Sequence, residues 1–169
     1  MAEFGYSVEQ FARYCAARSS KIKFEETIRH LVVDSRNYRH REGSVFFAIR
    51  GPYHDGHQFV ESVYRAGMRN FVVSEGTYVD KLPEANVMVV DDTVRALQSL
   101  AATHRRNFDY PVIAITGSNG KTVVKEWLFQ LLRADYRIVR NPKSYNSQVG
   151  VPLAVWSMRP DHDLAIFEA

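Results

Sequence analysis

Cysteine is nearly absent. Cys15 is the only one in 169 residues, which excludes an internal disulfide and suits a reducing compartment. It shares a helical face with Val8, Phe11 and Ala12, so it reads as a small buried hydrophobe rather than a nucleophile. No apolar run approaches the ~20 residues of a membrane span. The opening Met1-Ala2-Glu3-Phe4-Gly5-Tyr6 has neither a basic start nor an apolar core, so it does not read as a secretory signal. Together these absences predict a cytoplasmic protein. The first half lacks repeats and low-complexity tracts too. Metal-ligand spacing is lacking: His54 and His57 flank Asp55-Gly56 without further ligands at a metal interval, so His57 reads as a helix-start residue. An excess of one charge is also missing. Twenty-two basic against 19 acidic residues leave +3, and the pI is about 9.0. Arg133, Arg137, Arg140 and Lys143 do cluster, and would serve an anionic substrate or be solvated helix and strand ends. No helix-turn-helix, zinc-finger or aromatic RNA-binding pattern accompanies them, so no nucleic-acid partner is expected.

What is present fits a globular α/β chain. Apolar residues make up 46 % and charged residues 24 %, near the globular average. Two unequal halves are expected, 1–90 and 91–169. In the first, Ser7 to Ala17 reads as a helix with Ser7 and Gln10 as a capping box. Ile28 to Val33, Val45 to Ile49, Phe71 to Ser74 and Val87 to Val90 read as strands. A helix from His57 to Ala66 buries Phe59, Val60 and Val63 and ends at Gly67. The second half opens with a helix capped by Asp92 or Thr93 and carrying Val94, Leu97, Leu100 and Ala101. Strands at Val112, at Tyr136 to Val139 and at Leu164 to Phe167 follow, with a helix over Gly150 to Met158. Buried strands alternating with helices imply a parallel sheet with right-handed crossovers, whose ligands bind beyond the carboxyl ends of the strands.

The most informative stretch is Val112-Ile113-Ala114-Ile115-Thr116-Gly117-Ser118-Asn119-Gly120-Lys121-Thr122. An apolar strand feeds a Gly-rich turn, then Lys-Thr, then a helix carrying Val124, Trp127, Leu128, Leu131 and Leu132 on one face. Such a loop wraps backbone N–H groups around a phosphate at a helix N-terminus. Lys121 would contact the β- and γ-phosphates, and the Thr122 hydroxyl would ligate Mg²⁺. The standard P-loop has four residues between its glycines, and here only Ser118 and Asn119 intervene. That shortening disfavours a P-loop kinase or GTPase and points to a few ATP-using families. An ordinary strand–turn–helix connection is the plainer alternative, and the combined context outweighs it. The chain stops at Leu164-Ala165-Ile166-Phe167-Glu168-Ala169 with no helix to cover the strand, so it reads as part of a longer protein. Its sheet edge and apolar face predict self-association.

With these residues in place, the chain resembles the Mur ligases, which extend the peptide of the peptidoglycan precursor. Thr116 to Thr122 looks like their ATP loop. Asp34-Ser35-Arg36, Gly43-Ser44-Val45-Phe46-Phe47-Ala48, Gly51 and Asp55-Gly56-His57 match their N-terminal uridine-binding domain. Tyr145-Asn146-Ser147-Gln148-Val149-Gly150-Val151-Pro152 is similar to the branch that adds D-alanyl-D-alanine. Gly120 to Trp127 and Ser144-Tyr145-Asn146 resemble members of that branch fused to an alanine racemase, whose pyridoxal phosphate would lie outside these residues. The resemblance implies a small mixed α/β uridine-nucleotide domain followed by the first part of a parallel-sheet, P-loop-type ATP domain. It also implies ATP-dependent ligation of D-alanyl-D-alanine to UDP-N-acetylmuramoyl-tripeptide through an acyl phosphate. In that scheme Thr116, Gly117, Ser118, Asn119, Gly120, Lys121 and Thr122 hold ATP, and Thr122 and Glu168 ligate Mg²⁺. Ser35 and Arg36 would contact uridine, although Asp34 and Arg36 also read as a turn-locking ion pair. Ser144 and Asn146 would meet the muramoyl-peptide or the phosphates, or cap their loop. A folylpolyglutamate-type ligase shares the short loop but is not expected to carry the Asp34-Ser35-Arg36 and Asp55-Gly56-His57 motifs. A non-catalytic nucleotide-binding module is the remaining alternative.

Overall fold

The computed structural model describes residues 4–37, 41–51, 54–142 and 145–169. Two compact units divide the chain, Met1–Ser99 and Leu100–Ala169. The division falls within a helix, nine residues beyond the 1–90 expectation.

The first unit runs β1 (Tyr6–Ser7), α1 (Val8–Tyr14), β2 (Ser19–Lys21), β3 (Thr27–Ile28), β4 (His30–Val32), β5 (Ser44–Phe47), α2 (Val60–Arg65), β6 (Asn70–Val73), α3 (Tyr78–Lys81), β7 (Asn86–Val89) and the start of α4 (Thr93–Arg105). The Ser7–Gln10 capping box forms as expected, each side chain bonding the other's backbone N–H at 3.3 Å. α1 stops at Tyr14, short of Ala17, because Ala16 turns left-handed (φ 52°). Ala16 N–H then bonds Arg13 and Ala17 N–H bonds Ala12, a Schellman closure. Gly67 (φ 102°) closes α2 the same way, and Met68 N–H reaches Val63 O.

β4, β5, β6 and β7 pair in parallel, and β2 adds antiparallel to β7. β5, β6 and β7 are buried along their whole length, so they read as continuous apolar runs rather than alternations. The run expected from Ile28 to Val33 is two strands. Thr27–Ile28 pairs with β1, whereas His30–Val32 enters the larger sheet. At the strands' amino ends, buried Asn70 and Asn86 bond each other (2.8 Å) and tie in Glu26, Ser44 O, Phe24 and Lys23 N–H. The opposite, carboxyl ends carry the Asp34-Ser35-Arg36 and Asp55-Gly56-His57 loops.

In the second unit the end of α4 is followed by β8 (Val112–Ile115), α5 (Lys121–Leu132), β9 (Ile138–Arg140), α6 (Gly150–Trp156) and β10 (Leu164–Glu168). All three strands are parallel, with β10 in the middle and Glu168 level with Ile115. β10 is fully buried as expected, but β8 is only half-buried. The apolar face predicted for α5 is a correction: Leu128 and Leu132 are half-buried, while Val124, Trp127 and Leu131 are exposed, the last two at 68 % and 74 %. The helix instead turns Lys125 onto the sheet. Among the described residues no element covers the outer face of α5.

Candidate functional site

The glycine loop leaves β8 at Ile115 and enters α5 at Lys121. Thr116, Gly117, Ser118, Asn119 and Gly120 are all exposed. Gly117 (φ 146°) and Gly120 (φ 77°) hold conformations that L side chains rarely adopt, and Gly120 has no atom within 4 Å of where a Cβ would stand. No side chain caps the first turn of α5, so its N–H groups open onto the loop. Lys121 Nζ donates to Gly117 O at 2.7 Å, which keeps the ammonium at the loop's mouth.

Beneath the loop, Glu168 ends β10 wholly buried. Thr122 Oγ1 donates to its Oε2 at 2.8 Å, so the structure brings together the two residues predicted as metal ligands. Oε1 is buried without a hydrogen-bond partner. An orphaned carboxylate oxygen beside a hydroxyl is a donor set suited to a hard divalent cation. A carboxylate at a strand end is usually exposed; here the main chain of Glu168 is held by Asn141, whose Oδ1 accepts from Glu168 N–H (2.7 Å) and whose Nδ2 donates to Glu168 O (3.2 Å) and Tyr145 O (2.6 Å). Lys125, fully buried, donates to Asn141 O at 3.1 Å and lies 3.8 Å from Glu168 Oε2. Sequence reasoning missed Asn141 and Lys125. Helical spacing was the available signal for Lys125, which lies one turn beyond Lys121 and Thr122 on the same face.

In the first unit a cavity of about 400 Å³ is lined by Asp34, Ser35, Arg36, His54, Gly56 and Phe59 among others. Arg36 grips both oxygens of Asp34 (3.0 and 2.7 Å), the ion pair foreseen as a turn lock. These bonds hold the Asp34 carboxyl down at about 2. His57 is buried. Its Nδ1 meets Asp55 Oδ1 at 2.6 Å, and its Nε2 accepts from Ser74 N–H at 2.9 Å. Asp55, His57 and Glu75 lie close enough to share a metal. However, both His57 nitrogens are occupied, and the Arg50 guanidinium bridges Asp55 and Glu75. The cluster is therefore a salt-bridged staple, and His57 is the second residue of a short 3₁₀ turn, Gly56–Phe59, capped by Asp55.

The remaining predicted residues are scattered. Asn146 is exposed, and Ser144 lies outside the described residues, as does Lys143. The basic cluster is divided, since Arg137 pairs with Asp163 and Arg140 with Glu126. Cys15 is buried as expected, and burial pushes its thiol pKa far up.

A parallel three-stranded sheet, a short glycine loop and a strand-end carboxylate beneath it define an α/β unit with a phosphate-loop geometry, and residues 115–169 match the Mur ligase middle domain. Over nearly its whole length the chain is similar to Mur ligases. Its relatives among them include MurF ligases. The UDP-N-acetylmuramoyl-tripeptide–D-alanyl-D-alanine ligase of Bacillus subtilis (strain 168) is 31 % identical over 164 residues, 96 % of this chain and 35 % of that one. MurF from Acinetobacter baumannii superposes with a TM-score of 0.85 at 28 % identity, covering 99 % of this chain and 36 % of that one. MurF from Thermotoga maritima, solved in complex with ADP, gives 0.70 at 30 % identity over 83 % of this chain and 31 % of that one. The chain thus spans about a third of the length of the relatives it matches.

Proposed function

We propose that the protein containing this chain ligates D-alanyl-D-alanine to UDP-N-acetylmuramoyl-tripeptide at the expense of ATP. The observation that carries this reading is the Thr122–Glu168 contact directly beneath an exposed glycine loop; the MurF names of its relatives supply the substrates. The loop amides of Thr116 to Gly120 and the Lys121 ammonium would bind the nucleotide phosphates, as the ADP-bound relative supports. Thr122 and Glu168 would hold Mg²⁺, whose charge offsets that of the phosphate oxygens. The tripeptide carboxylate attacks the γ-phosphorus, ADP leaves, and an acyl phosphate forms. The amine of D-alanyl-D-alanine then attacks the acyl carbon, losing a proton as phosphate departs. Positioning and charge neutralisation are the protein's part in both steps.

The cavity beside Ser35 and Arg36 would take the uridine nucleotide, and Ser144 and Asn146 the muramoyl-peptide. The reaction belongs in the cytoplasm, in keeping with a single free cysteine; no helix among the described residues is long and apolar enough to cross a membrane. The chain by itself would also associate with copies of itself through its open sheet edge.

Phosphate release by the full-length protein tests the reading. With ATP and Mg²⁺, release should require both co-substrates, and Lys121→Ala should lower it by at least about a hundredfold, the scale of losing one preorganised charge contact. Release that ignores D-alanyl-D-alanine, or that survives in Lys121→Ala, overturns the assignment.

A further inference from the structure

Lys125 has no role in the scheme above, yet it is among the most deeply buried side chains of the chain. A position on α5 facing the sheet is ordinarily filled by an apolar residue, and burying an ammonium is unfavourable unless charge and hydrogen bonds offset it. Replacing a buried ion pair with well-packed apolar groups is often neutral or stabilising. Fold stability therefore does not explain a lysine here. Its surroundings do. The Nζ donates to Asn141 O (3.1 Å) and stands 3.8 Å from Glu168 Oε2 and 3.6 Å from Glu126 Oε1. Glu126 is itself matched by Arg140 at 2.8 Å, with the Arg140 guanidinium stacked 4.0 Å over Phe129. Arg140 thus shares the Glu126 charge, and of the two carboxylates only Glu168 is fully buried with Lys125.

Asn141 is the residue whose amide clamps Glu168 N–H and C=O. Lys125 therefore touches both the carboxylate and the clamp on its backbone. Helical side chains lean toward the N-terminus of their helix, which carries the Lys125 stem up toward Thr122 and the loop. Glu168 is drawn by Lys125 and Thr122 through the same oxygen, Oε2, which leaves Oε1 as the atom without a partner.

We propose that Lys125 is a positioning residue: it fixes the rotamer of Glu168 from below, so that the free oxygen is presented beside Thr122. The inference rests on the reading of Thr122 and Glu168 as cation ligands. In this role Lys125 acts through Glu168 and the Asn141 carbonyl.

The test is binding of a fluorescent ADP analogue to the full-length protein, with Mg²⁺ titrated from an EDTA-buffered start. In the wild type Mg²⁺ should tighten nucleotide binding, and Glu168→Gln should abolish that gain. Lys125→Met should raise the Mg²⁺ concentration for half-maximal gain by about tenfold or more, the usual effect of removing a residue that orients a metal ligand. Nucleotide affinity in EDTA should stay as in the wild type, whereas the melting temperature falls because Glu168 is left buried without its counter-charge; Lys125→Arg should restore most of the Mg²⁺ response. In a Glu168→Gln background, Lys125→Met should add nothing. A wild-type Mg²⁺ response in Lys125→Met sinks the inference while leaving the ligand reading intact. Loss of metal-free nucleotide affinity in folded Lys125→Met sinks it too, since Lys125 would then be merely structural. A full Mg²⁺ gain in Glu168→Gln overturns the ligand reading, and the inference with it.

Discussion

Gly56 has no room for a side chain. A Cβ there would stand 2.8 Å from Ile49 N and 3.0 Å from both Ala48 C and Ile49 O, all of them backbone atoms. The glycine is needed for close approach, which also lets Gly56 N–H bond Ile49 O at 2.8 Å. That contact docks the Asp55-Gly56-His57 loop onto the chain leaving β5 and forms one wall of the cavity beside Ser35. Backbone cannot swing aside as a lysine tip can, so Gly56→Ala should destabilise the protein by about 1–3 kcal/mol, the range for overpacking a tight site. Urea unfolding reads the stability directly. Uridine-nucleotide affinity, measured on the folded variant, should fall with it; a variant of unchanged stability would show that the loop has slack. His57 illustrates the same tightness. Two nitrogens with two fixed partners leave it nothing to offer a ligand.

Between elements, α4 and α6 are joined through a buried histidine. His104 on α4 packs 4.8 Å from the Trp156 ring and donates from Nε2 to Met158 O at 3.2 Å, with Phe108 edge-on at 5.0 Å. Burial depresses its pKa to about 4, against about 6.5 for a free imidazole. The native state therefore refuses a proton that the unfolded chain accepts. The stability from the neutral ring is complete above about pH 6.5 and is lost as pH falls toward 4, by roughly 3 kcal/mol in all. Carboxylates titrate over the same range, so the informative quantity is a difference. Urea midpoints of the wild type should fall more steeply from pH 7 to pH 4 than those of His104→Gln, which keeps a donor for Met158 O. Parallel curves would show that His104 takes up its proton in the fold as readily as in the unfolded chain. These elements also show where sequence is readable. α1, α2 and α4 announce themselves through caps and periodicity, and the glycine loop through residues that only a phosphate cradle needs. The burial of α5 is not readable that way, because Trp127 and Leu131 look like core while the face that meets the sheet carries Thr122 and Lys125. Local pattern reports which residues share a face, whereas the identity of the buried face depends on β10, more than 30 residues downstream. β2 pairs antiparallel through the wholly polar run Ser19–Lys21, whose main-chain bonds leave no apolar signal.

At the scale of the whole molecule, the surface of the second unit is unusual. Val123, Val124, Trp127 and Leu131 are exposed along α5, and β8 forms an edge of its sheet with Ala114 exposed as well. Unpaired edge N–H and C=O groups beside apolar side chains are a template for another chain. A net charge of only +3 on 169 residues gives little repulsion to oppose this. The chain on its own should therefore associate with itself reversibly as concentration rises, which sedimentation velocity would register as a growing weight-average mass. The cause can be read from salt. Apolar association strengthens in sulfate, whereas association of opposed charges weakens as ions screen them. The double substitution Trp127→Lys and Leu131→Lys touches neither the loop nor the Glu168 network, and it adds charge where the apolar face is most exposed. It should hold the chain monomeric at concentrations where the wild type associates. If that variant associates as before, the contact lies elsewhere, and the open edge at β8 becomes the surface to charge next.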